Sequence, residues 1–276
     1  MTPARLARNR LSLAALVLLL ALHVLVFGGP LVWTIPPDKT SALDALLPPG
    51  LGHPLGTDDL GRDELSRLLH GGQVTLVVGF AAMLTATVLG LLVGSFGAFY
   101  GGWLDTILMR LTDTMTAPAF FLIVTAVLVL GPGPATLVAV IGATSWMQVA
   151  RVIYGETLRF KSQDFVLAAE TLGASRSRVL VRHVLPQTIP SVVVAATLGV
   201  GVAILTESAV SYLGLGIQPP TPSWGNMLQN AQQFVWTAPA LAVFPGATIT
   251  LVVLAYNFLG DGLRDVLDPR LRLAGR

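Results

Sequence analysis

The sequence predicts an all-α membrane protein with about six transmembrane helices, built as one transmembrane domain over residues 1–276. Three observations carry this. The chain is 53% hydrophobic and only 12% charged, against about 25% charged in soluble domains, and its mean hydropathy is +0.72. The apolar residues gather into runs of about twenty, the length a helix needs to cross the hydrocarbon layer. Lysine and arginine fall almost wholly into alternate connections between those runs, as they do in chains that cross a membrane repeatedly.

The first run, 11–33, follows Arg5, Arg8 and Arg10. Its uncharged stretch from Leu11 to Pro37 is too long for the apolar part of a signal peptide and has no clear small-x-small cleavage site, so it reads as a retained span. Next comes His53–His70. Asp58 or Asp59 can cap a helix there. Asp58 with Arg62 and Asp63 with Arg67 are i,i+4 pairs, and Leu65, Leu68 and Leu69 make an apolar stripe. The segment reads as a short helix lying on the outer membrane face. Spans 76–100, 114–131 and 135–157 follow, the last two joined by the tight turn Gly131-Pro132-Gly133-Pro134. The connection 159–188 carries Arg159, Lys161, Arg176, Arg178 and Arg182. Spans 189–212 and 239–260 complete the set. Between them, 213–238 has no Lys or Arg, and its Trp224 and Trp236 suit a membrane–water interface.

Placing the N-terminus inside puts fourteen Lys and Arg residues on the cytoplasmic side. Only Lys39, Arg62 and Arg67 are left outside. Both termini are therefore expected in the cytoplasm.

Composition also excludes several classes. The net charge is +2, and basic residues cluster at span ends rather than on one patch, which argues against nucleic-acid binding. There is no cysteine, so neither disulfides nor thiolate metal sites can form. His23, His53, His70 and His183 have no metal-ligand spacing. His23 reads as a satisfied polar group inside the first span. Phe120, Phe121, Tyr154 and Tyr212 read as packing or lipid-facing residues, and Arg151 as a side chain reaching the interface, beside Gln148.

Two stretches are candidates for function. In the basic connection, Asp164 can cap a helix over 165–172. Ala169 and Gly173 are i,i+4 on one narrow face, and Gly173 suits the left-handed position that ends a helix. Ser175 can cap a second helix, and Pro186 is expected to limit it. The connection reads either as a docking surface for a cytoplasmic partner or as an ordinary interfacial connector. The second candidate is Glu207, the one acid in an otherwise uncharged stretch from 184 to 260. An ionisable side chain in a span faces a cavity or has a partner. Glu207 therefore reads as a possible pathway residue, meeting a cationic amino terminus or a metal, or as a carboxylate held by Ser208, Ser211 or a neighbouring helix.

These residues resemble a known family. The connection is similar to the cytoplasmic motif of ABC importer permeases, which runs Glu-Ala-Ala, then Gly, then Leu-Pro. Ala168, Ala169, Gly173, Leu185 and Pro186 match in residue and spacing, while the motif's Glu falls on Leu167. Three further stretches resemble the second permease subunit of the peptide and nickel branch: Gly56–Asp63, Ser211–Gly225 with its Pro-Pro-Thr-Pro-Ser-Trp-Gly, and Gly260–Leu271.

The resemblance implies a type I ABC importer permease fold, with Leu167, Ala168, Ala169, Gly173, Leu185 and Pro186 docking an ATPase. It implies a permease in a prokaryotic plasma membrane that takes up di- or oligopeptides by alternating access. The partners implied are a second, distinct permease subunit, two cytoplasmic ATPases and an extracytoplasmic substrate-binding protein. ATP and Mg would be bound by the ATPases. The chain itself has no G-x-x-x-x-G-K-[ST] loop and is expected to be no enzyme, with no cofactor, catalytic residue or metal of its own.

A nickel permease of the same family is the alternative, mildly disfavoured by the scarcity of His and Met along the spans. An ion-coupled secondary transporter is a second alternative, but the inverted repeat expected of one is not evident. A membrane hydrolase would need a base beside a nucleophile, and no histidine in a span has a Ser or Asp at helical spacing.

Overall fold

The computed structural model describes residues 10–116 and 119–267. Of the basic residues used for orientation, Arg5, Arg8, Arg270, Arg272 and Arg276 lie outside these, as do Asp268–Leu271 of the third motif and the side chain of Phe120.

The helices are α1 (Arg10–Val32), α2 (Glu64–Tyr100), α3 (Gly102–Thr116), α4 (Ala119–Leu130), α5 (Pro134–Lys161), α6 (Asp164–Thr171), α7 (Arg176–Val179), α8 (Leu185–Tyr212), α9 (Trp224–Ala231) and α10 (Ala240–Leu267). Among the described residues there is no strand, only an isolated bridge between Thr57 and Asp63. Four of these helices (α1, α2, α5 and α10) and the continuous run Arg176–Tyr212 are long and apolar enough to cross a membrane. The pair Gly102–Thr116 and Phe121–Leu130 would make a sixth span, bent by 84°. The expected span 114–131 thus runs across the join of two helices, because hydropathy registers an apolar run and not a change of direction.

α2 is the central rod. It packs on α5, α8 and α1, while α8 and α1 also pack on α10. At 37 residues it is about 55 Å long, more than the roughly 30 Å hydrocarbon layer needs. It lies against α5 through small residues. A Cβ on Gly90 would come within 2.9 Å of Trp146 O and Ala150 N, and one on Gly94 would strike Ala150 O. Without lipid-driven attraction between spans, such close backbone contact is what holds them together. The core at this seam comprises Met83 and Ala86 of α2 with Trp146, Ala150 and Ile153 of α5.

The segment before α2 is not the surface helix expected from its i,i+4 spacing. Residues 45–63 form turns, and Asp63 is the N-cap of α2, accepting from Ser66 N at 2.7 Å. The Asp63 carboxylate is taken up by this cap and does not pair with Arg67 four residues on. It binds His53 Nδ1 at 2.7 Å and accepts from Trp33 Nε1 at 2.7 Å instead. Asp58 pairs with Arg62 as expected, at 2.6 Å, and also with Arg67 at 3.4 Å.

Candidate functional site

The basic connection is a hairpin hung between α5 and α8. Gln163 is the N-cap of α6, so Asp164 sits in the first turn and not at the cap, where its carboxylate still meets the positive end of the helix. At the far end, Gly173 N donates to Glu170 O at 2.9 Å and Ala174 N to Ala169 O at 3.0 Å. These are the paired bonds of a Schellman end, and Gly173 has φ +83° as its position requires. Ser175 stands at the cap of α7 without a side-chain capping bond.

Pro186 does not stop the helix. The backbone runs on from Arg176 to Tyr212 through a π-turn at Leu180–Val184, where Leu185 N donates to Leu180 O. Proline lacks an N–H and its ring crowds the carbonyl four residues back. The wider π-turn accommodates both, and such turns are common at functional sites.

The hairpin has two unlike faces. Val166, Val179, Leu180 and Val184 are buried together with Phe99 of α2, and Ala169, Ala174 and Leu185 pack around them. Ala169 therefore faces its own chain and does not share an outward face with Gly173. Val166 and Ala169, three apart, form the small apolar stripe that α6 turns into this cluster. The opposite face is left free: Leu167 is 66% exposed and Leu172 88%. Ala168, Gly173, Pro186 and the three arginines Arg176, Arg178 and Arg182 are exposed with them. The motif's departure at Leu167 thus puts an apolar side chain where the family pattern has a carboxylate.

Beneath the hairpin lies a contact that sequence reading missed. Lys161 Nζ donates to Phe99 O at 2.7 Å and Ala98 O at 3.3 Å, and stands 5.6 Å from the centre of the Phe99 ring. Tyr100 Oη and Ser177 Oγ are 3.2 Å apart beside it. As a lysine at a span end, Lys161 signalled only topology.

Glu207 sits in α8 and is fully buried. Ser211 Oγ donates to its Oε1 at 2.8 Å and Ser208 Oγ to its Oε2 at 3.3 Å, with the hydroxyls of Thr75 and Ser223 close by. Ser211 Oγ accepts from Ile217 N at 3.1 Å. Thr75 Oγ1 accepts from Trp224 N at 3.2 Å. Ser223 and Asn226 close a reciprocal capping box at the start of α9. Trp224, expected at an interface, is fully buried and donates from Nε1 to Leu68 O at 2.9 Å, whereas Trp236 is 93% exposed. The acid is thus the centre of a polar knot that folds residues 213–226 back between α2 and α8.

His23 Nδ1 donates to Leu19 O, 2.8 Å away, and the ring packs beside Tyr256. Arg151 reaches across to Asp113 of α3 at 2.9 Å; Gln148 is exposed.

A bundle of apolar helices with a turn folded back into it, and with a two-faced hairpin at one end, is the build of a multi-pass membrane permease subunit. The chain belongs to the family described as the binding-protein-dependent transport system inner membrane component, whose profile matches residues 86–273. Residues 4–49 match the N-terminal TM domain of oligopeptide transport permease C. The chain is similar to the dipeptide transport system permease protein of Alkalihalophilus pseudofirmus, 35% identical over 269 residues, covering 97% of this chain and 88% of that one. It is 40% identical over 263 residues to the glutathione transport system permease protein of Escherichia coli, covering 94% and 86%. It is 36% identical over 269 residues to the oligopeptide transport system permease protein of Bacillus subtilis, covering 97% and 88%.

Proposed function

We propose that this permease subunit forms half of the pathway of an ATP-driven importer of short peptides, working by alternating access. A second, distinct permease supplies the other half. Two cytoplasmic ATPases bind ATP and Mg and dock on the 164–184 hairpin, and an extracytoplasmic binding protein delivers the cargo. The peptide cargo is supported by the relatives, which are named for dipeptides, oligopeptides and glutathione, itself a tripeptide.

The observation that carries the mechanism is the division of the hairpin into two faces. One face is buried in a cluster with Phe99 of α2, and the other offers Leu167, Leu172 and basic side chains with none of the described residues over them. A fixed element with a free apolar face suits transmission of a rigid-body push.

Co-purification tests this reading. The ATPases should come down with the parent complex and be lost with Leu172→Asp, which places a charge on the free face. Gly173→Val should act likewise, because a β-branched residue at φ +83° strains the hairpin end by about 1–2 kcal/mol. Gly173→Asn, which tolerates that conformation, should keep them. Recovery of the ATPases with Leu172→Asp and Gly173→Val at the parent level would make the hairpin a connector only.

A further inference from the structure

We propose that Lys161 is the positioning residue that makes α2 follow the hairpin, so that a push at the docking surface reaches the opposite end of the bundle. The proposal rests on the docking role given to residues 164–184 above.

The chain itself passes hairpin motion only to α5 and α8, the helices it joins. α2 enters this end of the bundle independently, with Phe99 lying 62 positions before Lys161. A helix end leaves its last carbonyls without intrahelical donors. At the end of α2, Gly101 N takes Gly97 O, and the Ala98 and Phe99 carbonyls point to Lys161 Nζ. The ammonium also lies at the negative end of the α2 dipole and at the end of its own helix, α5. No carboxylate competes for it: among the described residues no ion pair includes Lys161. The Phe99 ring beneath it is at the same time part of the apolar cluster under α6 and α7.

α2 then carries the motion onward. From this joint it runs unbroken to its cap at Asp63. On the way its Leu68 and Thr75 hold the backbone and ring of Trp224. The rod therefore connects the hairpin with the folded-back turn held by Glu207. The seam with α5 holds α2 as far as Gly94. Beyond it, the two bonds from the last residue of α5 to the Ala98 and Phe99 carbonyls tie the end of α2 to the root of the hairpin.

Lys161 is itself exposed, so removing its charge opens no cavity. The test uses the complete complex with its ATPases in lipid vesicles or nanodiscs, carrying Lys161→Met, which keeps the length of the side chain without its donors. Spin labels on cysteines replacing Ser175, which is exposed and makes no capping bond, and Phe96 report the distance between hairpin and α2, before and after trapping with Mg-ATP and vanadate. Uptake of a radiolabelled dipeptide and release of phosphate are measured in parallel.

In the parent the label distance stays the same on trapping, because the two elements move together. In Lys161→Met the distance should shift on trapping. ATP should still be hydrolysed, while uptake per ATP should fall about fivefold. Lys161→Arg, which can still reach both carbonyls, should restore both readings. If Lys161→Met does not assemble, Lys161→Gln carries the same comparison.

An unmoved label distance in the variant, with parent uptake per ATP, overturns the proposal. So does equal loss in Lys161→Arg and Lys161→Met. Failure of the parent to bind its ATPases would instead count against the docking reading. Failure of the parent to take up dipeptide with ATPases bound would count against the cargo, and the label distances would still decide the role of Lys161.

Discussion

Glu207 concentrates the question of what a buried charge does in a transporter. Its oxygens are occupied by the hydroxyls of Ser211 and Ser208, and Ser211 in turn accepts from Ile217 N of the folded-back turn. The geometry makes the carboxylate an organiser of that turn. Glu207→Gln keeps one oxygen to accept from Ser211, so uptake should match the parent for peptides with free and with blocked amino termini. Selective loss of free peptides would place the carboxylate in the pathway. Glu207→Leu removes the acceptors altogether and should lower stability by about 1–3 kcal/mol, read as a lower melting temperature in detergent. The sequence marked Glu207 as unusual and offered Ser208 and Ser211 as partners. It could not show Thr75 or Ser223, because neither lies near Glu207 in the chain.

At the level of elements, the seam between α2 and α5 is the most demanding contact in the bundle. Gly94→Val should destabilise the protein by about 1–3 kcal/mol or more, since the added carbons meet backbone that cannot turn aside. Gly155→Ala, on α5 with open space around it, should be neutral or slightly stabilising. Thermal melting of the two variants in the same detergent checks the contrast. Helix ends were legible where one residue settles them: Gly173 after α6, and the glycine-proline turn before α5. Faces were less so. Ala169 and Gly173 share a spacing, yet one packs on the apolar cluster under the hairpin and the other meets solvent, because periodicity gives a stripe without saying what covers it. The Asp63–Arg67 spacing misled for a related reason: aspartate is also the residue that begins a helix, and here its carboxylate is spent on the cap. Lys161 carried no readable signal, since its partners are carbonyls, which every residue has.

For the whole molecule, the basic asymmetry predicts that the hairpin faces the cytoplasm and the 213–238 connection the outside. The absence of cysteine makes this easy to check. In intact cells an impermeant thiol reagent should label Trp236→Cys, which replaces a 93% exposed side chain, and spare Ser177→Cys until the membrane is opened. The reverse pattern would invert the orientation. The turns before α2 bear on how that orientation is kept. Asp58, Arg62, Asp63 and Arg67 are each 5% exposed or less, and charges so enclosed are tolerated only with their partners in place. In the orientation that the basic residues predict, these residues are carried across separately, hydrated and unpaired, before Trp33 at the end of α1 can meet Asp63 at the start of α2. The cap can close only after both helices are threaded. Once closed, it joins their ends on the far side, and withdrawing either helix would first require pulling those charges apart. It behaves as a clasp fastened at the last step of insertion, making the direction of the first two spans a matter of history that the finished protein cannot readily undo.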